Sequence, residues 1–272
     1  MKLIKNVGGG GYSQKISLII SIYNKYDFLY LVLKSIENQT FKNFEIILAE
    51  DCEKKELLEK LKEWRKEFSF EIKHVFQEDI GFRKCKILNE AIKISSERIV
   101  IIDGDCLLHH KFLENYSKYF DKGYEVLFGR RCEMSKVLTE KLLKEKRYKV
   151  NLLELILSKA KHWRECIYFP IISGMKKRKL KLLGSNMGFT KEIIYKINGF
   201  NEEFEAPGVG EDSDLEWRFK KIGAKYISLK YILIEYHLWH KESGTHDTNK
   251  NFKIMGKNIK ENNWFAKKGI LK

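Results

Sequence analysis

Proline is nearly absent from this 272-residue chain, which has only Pro170 and Pro207, and no Pro- or Ser-rich stretch divides it. A chain of this size buries one sizeable core, with room for a small appended subdomain. The missing linker therefore argues for a single unit. Nor does any uninterrupted apolar run approach the roughly 18 residues that a membrane-spanning helix needs. The first residues, MKLIKNVGGGGYSQ, carry lysines but no apolar stretch of signal-peptide length, because Gly8 to Gly11 interrupt it. Cysteine is sparse: Cys52, Cys85, Cys106, Cys132 and Cys166 form no C-x-x-C pair. Their odd number and scatter argue against a disulfide framework and fit ordinary reduced core thiols in a cytoplasmic protein. Also missing is a G-x-G-x-x-G turn behind the first candidate strand, which argues against a dinucleotide-binding Rossmann enzyme.

What the chain does have is apolar substance and positive charge. Hydrophobic residues make up 43% and aromatics 13%, a globular composition rather than a disordered one. The formal net charge is +15, and its placement says more than its size. Lys136 to Lys181 holds fourteen basic residues against four acidic ones, Lys241 to Lys272 holds eight against three, and elsewhere the signs balance. Such clustering suits peripheral contact with an anionic membrane or an anionic acceptor, with a solvated lysine-rich surface as the bland alternative. Nucleic acid is not expected as a partner, because aromatics do not interleave with the lysines.

Periodicity gives alternating elements. Ile16 to Ile22 is a β-branched run suited to a strand buried on both faces. Phe28 to Gln39 has helical spacing at Phe28, Leu29, Val32, Leu33 and Ile36. Phe44 to Ala49 reads as a second strand, Lys54 to Phe68 as an amphipathic helix with Leu57, Leu58, Leu61 and Trp64 inward, and Phe70 to Phe76 as a third strand. Arg83 to Ile94 reads as a helix and Arg98 to Ile102 as a fourth strand. Strands alternating with helices predict an α/β fold with a mostly parallel sheet flanked by helices. In such sheets ligands bind beyond the carboxyl ends of the strands. Three successive strand ends carry polar residues here: Tyr23-Asn24, Glu50-Asp51 and Asp103-Gly104-Asp105. Beyond Glu133 the pattern changes to a basic segment, in which Leu152, Leu153, Ile156, Leu157, Ala160 and Trp163 predict a helix that packs on the core, followed by Lys176-Lys177-Arg178-Lys179.

Two acidic constellations carry the chemistry. Asp103 and Asp105 end a buried apolar strand, where two charges do nothing for packing and are costly without a counter-ion. Carboxylate oxygens are hard ligands for magnesium or manganese, which keep coordination positions open for phosphate oxygens. Glu211-Asp212-Ser213-Asp214 follows Gly208-Val209-Gly210. Ser213 or Asp212 could cap the helix beginning there, but three carboxylates in four residues exceed what capping or the helix dipole requires. His237 and His240 close another apolar run, and a strand-end imidazole could complete a ligand set begun by Asp105.

These residues resemble a known family. Lys15 to Phe128 resembles the nucleotide-binding half of family 2 glycosyltransferases, which have the GT-A fold. Leu183 to Arg218, with Gly184-Ser185-Asn186, Asn198-Gly199-Phe200 and Gly210-Glu211-Asp212 in order and spacing, resembles the galactosyltransferase-type module. That module is shared by β-1,4-galactosyltransferases, bacterial chondroitin polymerases and polypeptide N-acetylgalactosaminyltransferases. The resemblance covers about two-thirds of the chain. It implies a UDP-sugar donor and a manganese or magnesium cofactor. It also implies contacts of Tyr23 and Asp51 with the uracil ring, of Asp79 and Arg83 with the nucleotide and diphosphate, of Asp103 with the uridine, and of Asp105 with the metal. Glu211 would touch the acceptor, Asp212 would be the catalytic base, and His237, with His240 as the alternative, would be a further metal ligand. Retaining relatives carry asparagine where Asp212 stands, so its carboxylate implies inversion. Departures are Ser21-Ile22 in place of Pro-Thr, Glu50-Asp51 in place of Asp-Asp, and Pro207 to Gly210 in place of a Trp-Gly-Gly run, which blurs the donor-sugar pocket.

The expected organisation is an extension over 1–14, a nucleotide-sugar-binding half over 15–132, a basic helical insertion over 133–181, a catalytic half over 182–240 and a basic tail over 241–272. The expected activity is transfer of a hexose or N-acetylhexosamine, galactose-type first, to a glycan or lipid-linked glycan acceptor in bacterial cell-surface polysaccharide or lipopolysaccharide synthesis. The expected place is the cytoplasm, peripheral to the inner face of the membrane. A different metal-dependent nucleotide-processing enzyme would leave Glu211 and Asp212 without a task, and a non-catalytic basic adaptor for glycans or nucleic acid would need neither acidic cluster.

Overall fold

The computed structural model describes residues 14–170, 181–206, 210–241 and 248–271. The Lys176 to Lys179 cluster, Pro207, Gly208 and Val209 lie outside them.

The β-branched run forms β1 (Ile16–Ile22) and the predicted alternation follows: α1 (Tyr26–Glu37), β2 (Phe44–Glu50), α2 (Lys55–Glu67), β3 (Ile72–Phe76), α3 (Lys84–Lys93) and β4 (Arg98–Asp103). After them come β5 (Cys106–Leu108), α4 (Phe112–Asp121), β6 (Val126–Phe128), β7 (Arg130–Glu133), α5 (Lys136–Lys144) and α6 (Leu152–Leu157). The described chain finishes with β8 (Asn186–Thr190), α7 (Lys191–Lys196), α8 (Glu211–Lys221), β9 (Tyr226–Ser228), β10 (Ile234–His237) and α9 (Thr248–Lys260). Seven strands pair in the order β3-β2-β1-β4-β8-β6-β9. β8, from the segment expected to form a separate half, runs antiparallel between β4 and β6. A second sheet of order β5-β10-β7 stands beside the first.

Apolar side chains alternate across the main sheet as a period of two demands. Leu18, Ile20, Val100 and Ile102 face one core with α1, α2 and α4, whereas Ile19, Ile47, Ile99 and Ile101 face the other with α3, α7 and α8. Both faces are covered, so the strands read as continuous apolar runs. All five cysteines are buried and free.

Two expectations about amphipathic faces are corrected. On α2, Leu57, Leu61 and Trp64 are buried but Leu58 lies at the edge of the stripe, 37% exposed. On α6 the face is reversed: Leu155 and, just beyond the helix, Ala160 point inward, while Leu152, Leu153, Ile156 and Leu157 are exposed. At 100° per residue the buried position and those four cannot share a face of so short a helix. The 241–272 segment, expected as a tail, is tied to the fold. Asn198 donates to the Ala266 carbonyl at 2.7 Å and accepts from the Leu271 amide at 2.7 Å, and Ala266 and Ile270 are buried.

The Asn198-Gly199 turn is also held from below. Arg218, 1% exposed, donates to the Ile197 and Gly199 carbonyls at 3.0 and 2.6 Å and pairs with Asp214 at 2.7 Å. Removing Asp214 strands a guanidinium in the core. Asp214→Ala is therefore expected to cost about 3–5 kcal/mol of stability, read as a fall in the urea midpoint at unchanged slope.

Candidate active site

β1, β2 and β4 run parallel in register, so their carboxyl ends deliver Tyr23, Asp51 and Asp103 to one edge. The edge is stitched by backbone bonds from Asp51 to Ile22 and from Gly104 to Ser21, at 2.9 and 2.8 Å. Beside Asp51, Glu50 is fully buried between the Tyr26 hydroxyl at 2.8 Å and the His74 ring at 2.9 Å, a structural tie between α1, β2 and β3. Asp51 itself is buried at the strand end, 7% exposed. Its oxygens accept from the Gln77 amide at 2.5 Å and the Arg83 backbone at 2.8 Å, and burial pushes its carboxyl up despite them. Tyr23, half exposed, donates to Asp79 at 3.1 Å under the Lys54 ammonium, 5.3 Å from the ring. The Arg83 guanidinium donates to the Glu78 carbonyl, and its Nε is buried without a partner among the described residues.

The small sheet builds the second part of the site. β10 sets His237 opposite Cys106 on β5 and Glu133 on β7, and the Leu238 amide bonds to the Asp105 carbonyl at 2.9 Å. Asp105 thus lies 3.5 Å from His237 Nε2, 3.2 Å from His240 Nε2 and 3.4 Å from Lys25 Nζ. Burial alone would raise its carboxyl, but the bond from His240 and the charges of His237 and Lys25 hold it well below the usual range. The same bond raises His240. Ligand atoms of Asp105, His237 and His240 lie within 4.8 Å of one another. One carboxylate oxygen and two imidazole nitrogens form a donor set that suits a divalent ion with mixed preferences, manganese better than magnesium. Both histidines, not one, reach Asp105. Glu133 Oε2 lies 2.6 Å from His237 Nδ1, a close contact without hydrogen-bond alignment, and its Oε1 accepts from Arg131 Nε at 2.8 Å; His237 first and then Arg131 hold Glu133 down at about 2. A carboxylate behind an imidazole fixes its tautomer and turns the other nitrogen outward.

The third part is the start of α8. Asp212 Oδ2 accepts from the Gly184 amide at 2.8 Å, and a Cβ at Gly184 would come within 2.3 Å of that carboxylate, so only glycine permits the approach. Burial first, and then the neighbouring Glu211 charge, push Asp212 up to about 7. Glu211 Oε2 is buried with no partner among the described residues. Lys84 joins this cluster to the strand edge: its Nζ sits 2.6 Å from Asp103 and within the fields of Glu211 and Asp212. Burial would lower the Lys84 ammonium, and those three carboxylates hold it well above its ordinary value. The helix is capped by Gly210, at φ +107°, without a side-chain cap, so neither Asp212 nor Ser213 serves that purpose. Asp214 belongs to the core pair with Arg218.

The structure thus gathers the residues singled out in the sequence in three places, Tyr23, Asp51, Asp79 and Arg83 at the β1 and β2 ends, Asp105, His237 and His240 at the small sheet, and Asp103, Glu211 and Asp212 around Lys84, and it adds Lys84 and Glu133, which the sequence did not single out. Lys84 is legible only as the first residue of a helix, because its partner Asp103 lies nineteen positions away. Glu133 had no signal, being the last residue of a four-residue strand at an expected segment boundary.

The family described as Glycosyl transferase family 2 matches residues 17–184, and the one described as N-terminal domain of galactosyltransferase matches residues 173–241. The chain is similar to a chondroitin synthase of Escherichia coli, 25% identical over 90% of this chain and 37% of that protein. It is also similar to one of Pasteurella multocida, 27% identical over 79% of this chain and 23% of that protein. It therefore spans 37% of the length of the first relative and 23% of the second. Among solved structures, Staphylococcus aureus TarS 1-349 in complex with UDP-GlcNAc matches at TM-score 0.59 and 18% identity, over 90% of this chain and 66% of that one. The mannosyltransferase PcManGT from Pyrobaculum calidifontis in complex with GDP-Man and Mn2+ matches at 0.58 and 15%, over 85% and 59%. These two share the fold.

The geometry yields a test of the imidazole cluster. Glu133→Gln keeps the side-chain shape but removes the charge behind His237, and losses of this kind weaken metal binding about 10–100-fold. Calorimetric titration with manganese is expected to show that loss; unchanged affinity would free Glu133 from any such task.

Proposed function

The chain belongs to glycosyl transferase family 2, and on that premise we propose an inverting, metal-dependent transfer of a hexose or N-acetylhexosamine, galactose-type first, from a UDP-sugar to a hydroxyl of a glycan or lipid-linked glycan. The observation that carries the proposal is Asp212: a half-buried carboxylate pushed up to about 7, aimed by the Gly184 amide, and joined through Lys84 to Asp103 at the strand edge. A general base works best when its pKa lies near the operating pH. The galactosyltransferase match over 173–241 supports the sugar class, and the UDP-GlcNAc and GDP-Man complexes of the structural neighbours support a nucleotide-sugar donor. The chondroitin synthase relatives support a polysaccharide product, which we assign to a bacterial cell-surface glycan or lipopolysaccharide made on the cytoplasmic side. No helix among the described residues is long and apolar enough to cross a membrane.

In this reading Tyr23 and Asp51 hold the uracil, and Asp79 and Arg83 hold the diphosphate, the unpartnered Arg83 Nε being a donor in want of an oxygen. Asp103 orients the ribose from its pairing with Lys84. Asp105, His237 and His240 would hold the divalent ion, which supplies stabilisation of the charge that develops on the departing diphosphate. Glu211, with an unused buried oxygen, takes a hydrogen bond from an acceptor hydroxyl. Asp212 removes the proton from the attacking hydroxyl as that oxygen bonds the anomeric carbon on the face opposite the leaving diphosphate. The proton ends on Asp212, and the electron pair of the broken bond leaves with the UDP.

Loss of a general base costs on the order of 10²–10⁴-fold in rate. Asp212→Asn is expected to lose that much transfer while binding UDP within about twofold of the parent by calorimetry, since uniform donor binding does not use the base. Retained transfer would remove Asp212 from the mechanism. Misfolding is not the expected cause of a loss. A carboxyl whose pKa rises on folding favours the fold when neutral and opposes it when ionised, so at pH 8 the amide should be at least as stable.

The same shift sets a pH dependence. The base must be deprotonated, so kcat/KM is expected to rise about tenfold per pH unit up to an inflection near pH 7 and to level above it. A profile flat from about pH 5.5 to 8 would show that no group with the shifted pKa of Asp212 limits the reaction.

A further inference from the structure

The reversed face of α6 asks for an occupant. Leu152, Leu153, Ile156 and Leu157 form one stripe along the helix, with Leu153 and Leu157 64% and 72% exposed. The Lys141 to Glu154 ion pair, at 3.2 Å, sets the start of α6 against the Lys141 side of α5. Val137, one turn before Lys141 on that side, is 74% exposed. Large exposed apolar side chains clustered like this mark an interaction site rather than ordinary surface.

The surroundings say which kind. Exposed Lys136, Lys144, Lys146, Lys149, Lys159 and Lys161 rim the stripe in sequence and on the same two helices and their flanks. Most acidic groups here are spent on other partners: Glu154 is held by Arg147 at 2.6 Å as well as by Lys141, Glu145 by Arg147 at 3.0 Å, and Glu165 by Lys230 at 3.0 Å, while Glu140 offsets Lys136 at 3.7 Å and leaves the other lysines uncompensated by it. The outward field is therefore positive around an apolar centre. A protein partner of opposite charge would meet lysines, but a short ridge of aliphatic tips amid lysines matches a bilayer of anionic lipids, where apolar groups enter the acyl boundary and ammonium groups stay at the headgroups.

We infer that α5 and α6 form a foot by which the chain rests on an anionic bilayer. The foot adjoins the reaction site. Lys136 Nζ lies 5.4 Å from the Trp239 ring, and the Trp239 amide donates to Thr139 on α5 at 2.8 Å, one residue from His240. Docking there would hold the His240 side of the site close to the headgroup plane, within reach of a glycan carried on lipid. The inference deepens the proposed function by saying where the acceptor's lipid lies. Vesicle binding and sugar transfer are separate measurements, so either can fail without the other.

The test is flotation of the full chain with vesicles of phosphatidylglycerol and phosphatidylethanolamine, against vesicles of phosphatidylcholine alone. The chain is expected to float with the anionic vesicles, and to be released as sodium chloride rises from about 0.05 to about 0.5 M. Leu153→Gln with Leu157→Gln removes two exposed apolar tips and should lower the partition coefficient at least about tenfold. Lys144→Glu with Lys149→Glu, which changes other residues, should lower it similarly, and both variants should bind UDP as the parent does. Absence of flotation would overturn the inference. So would equal binding of either double variant, or equal binding to phosphatidylcholine. A dimer in sedimentation equilibrium that Leu153→Gln with Leu157→Gln dissolves would give the stripe to a second copy instead.

Discussion

Four carboxylates, from Asp103, Asp105, Glu211 and Asp212, share the carboxyl edge of one sheet, and gathering them there opposes folding unless cations come with them. The fold answers with Lys84 against Asp103, Glu211 and Asp212, and with Lys25, His237 and His240 against Asp105. These compensations are unequal. Asp105 has three cationic or ionisable neighbours and is held low, whereas Asp212 has Lys84, one backbone amide and an adjacent glutamate, and is pushed up. The same crowding thus produces a permanently ionised carboxylate suited to a metal and a titratable one suited to proton transfer. Distance in the chain is what makes the division possible, since Asp105 and Asp212 arrive from different elements with different neighbours.

Much of the fold exists to fix that edge. The small β5-β10-β7 sheet brings His237 to Asp105 and sets Glu133 behind it, while Leu107, Leu108, Cys132 and Ile234 on the same strands join the core. The Asn198-Gly199 turn is wired from three sides, by Asn89 to the Phe200 backbone, by Arg218 to its carbonyls, and by the chain end through Asn198. Arg218 comes from α8, so the helix that presents Asp212 is anchored by its own second turn to a turn that the C-terminal residues brace. The last basic segment contributes to the site through this bracing.

The parallel strands and their polar ends were legible because buried strands of this type are continuous β-branched runs, and the side chains following them have nowhere to go but the ligand edge. The acidic clusters were legible for a related reason: apolar packing at a strand end has no use for Asp103 and Asp105, although Asp214 of the second cluster does serve the core through Arg218. Lys84 was legible only as a helix residue, since its partner lies nineteen positions away across a strand crossing. Glu133 depends on a register between two four-residue strands that no local pattern encodes. The orientation of α6 is not legible from its sequence, because apolar content does not say which face is buried. An aliphatic stripe shows only that one face avoids water, and a bilayer satisfies that as well as a core does.

The run Glu211-Asp212-Ser213-Asp214 shows why composition identified a site but not its members. Successive residues of an α-helix turn by about 100°, so carboxylates at the first, second and fourth positions of α8 must face different surroundings. Asp212 turns to Gly184 and the sheet edge. Asp214 turns to the core, where Arg218 at i+4 lies on the same helix face and closes the ion pair. Glu211 keeps a buried oxygen unused among the described residues. Helical geometry therefore assigns three tasks to three identical charges. The one that stays poorly compensated is the one able to exchange a proton near neutral pH.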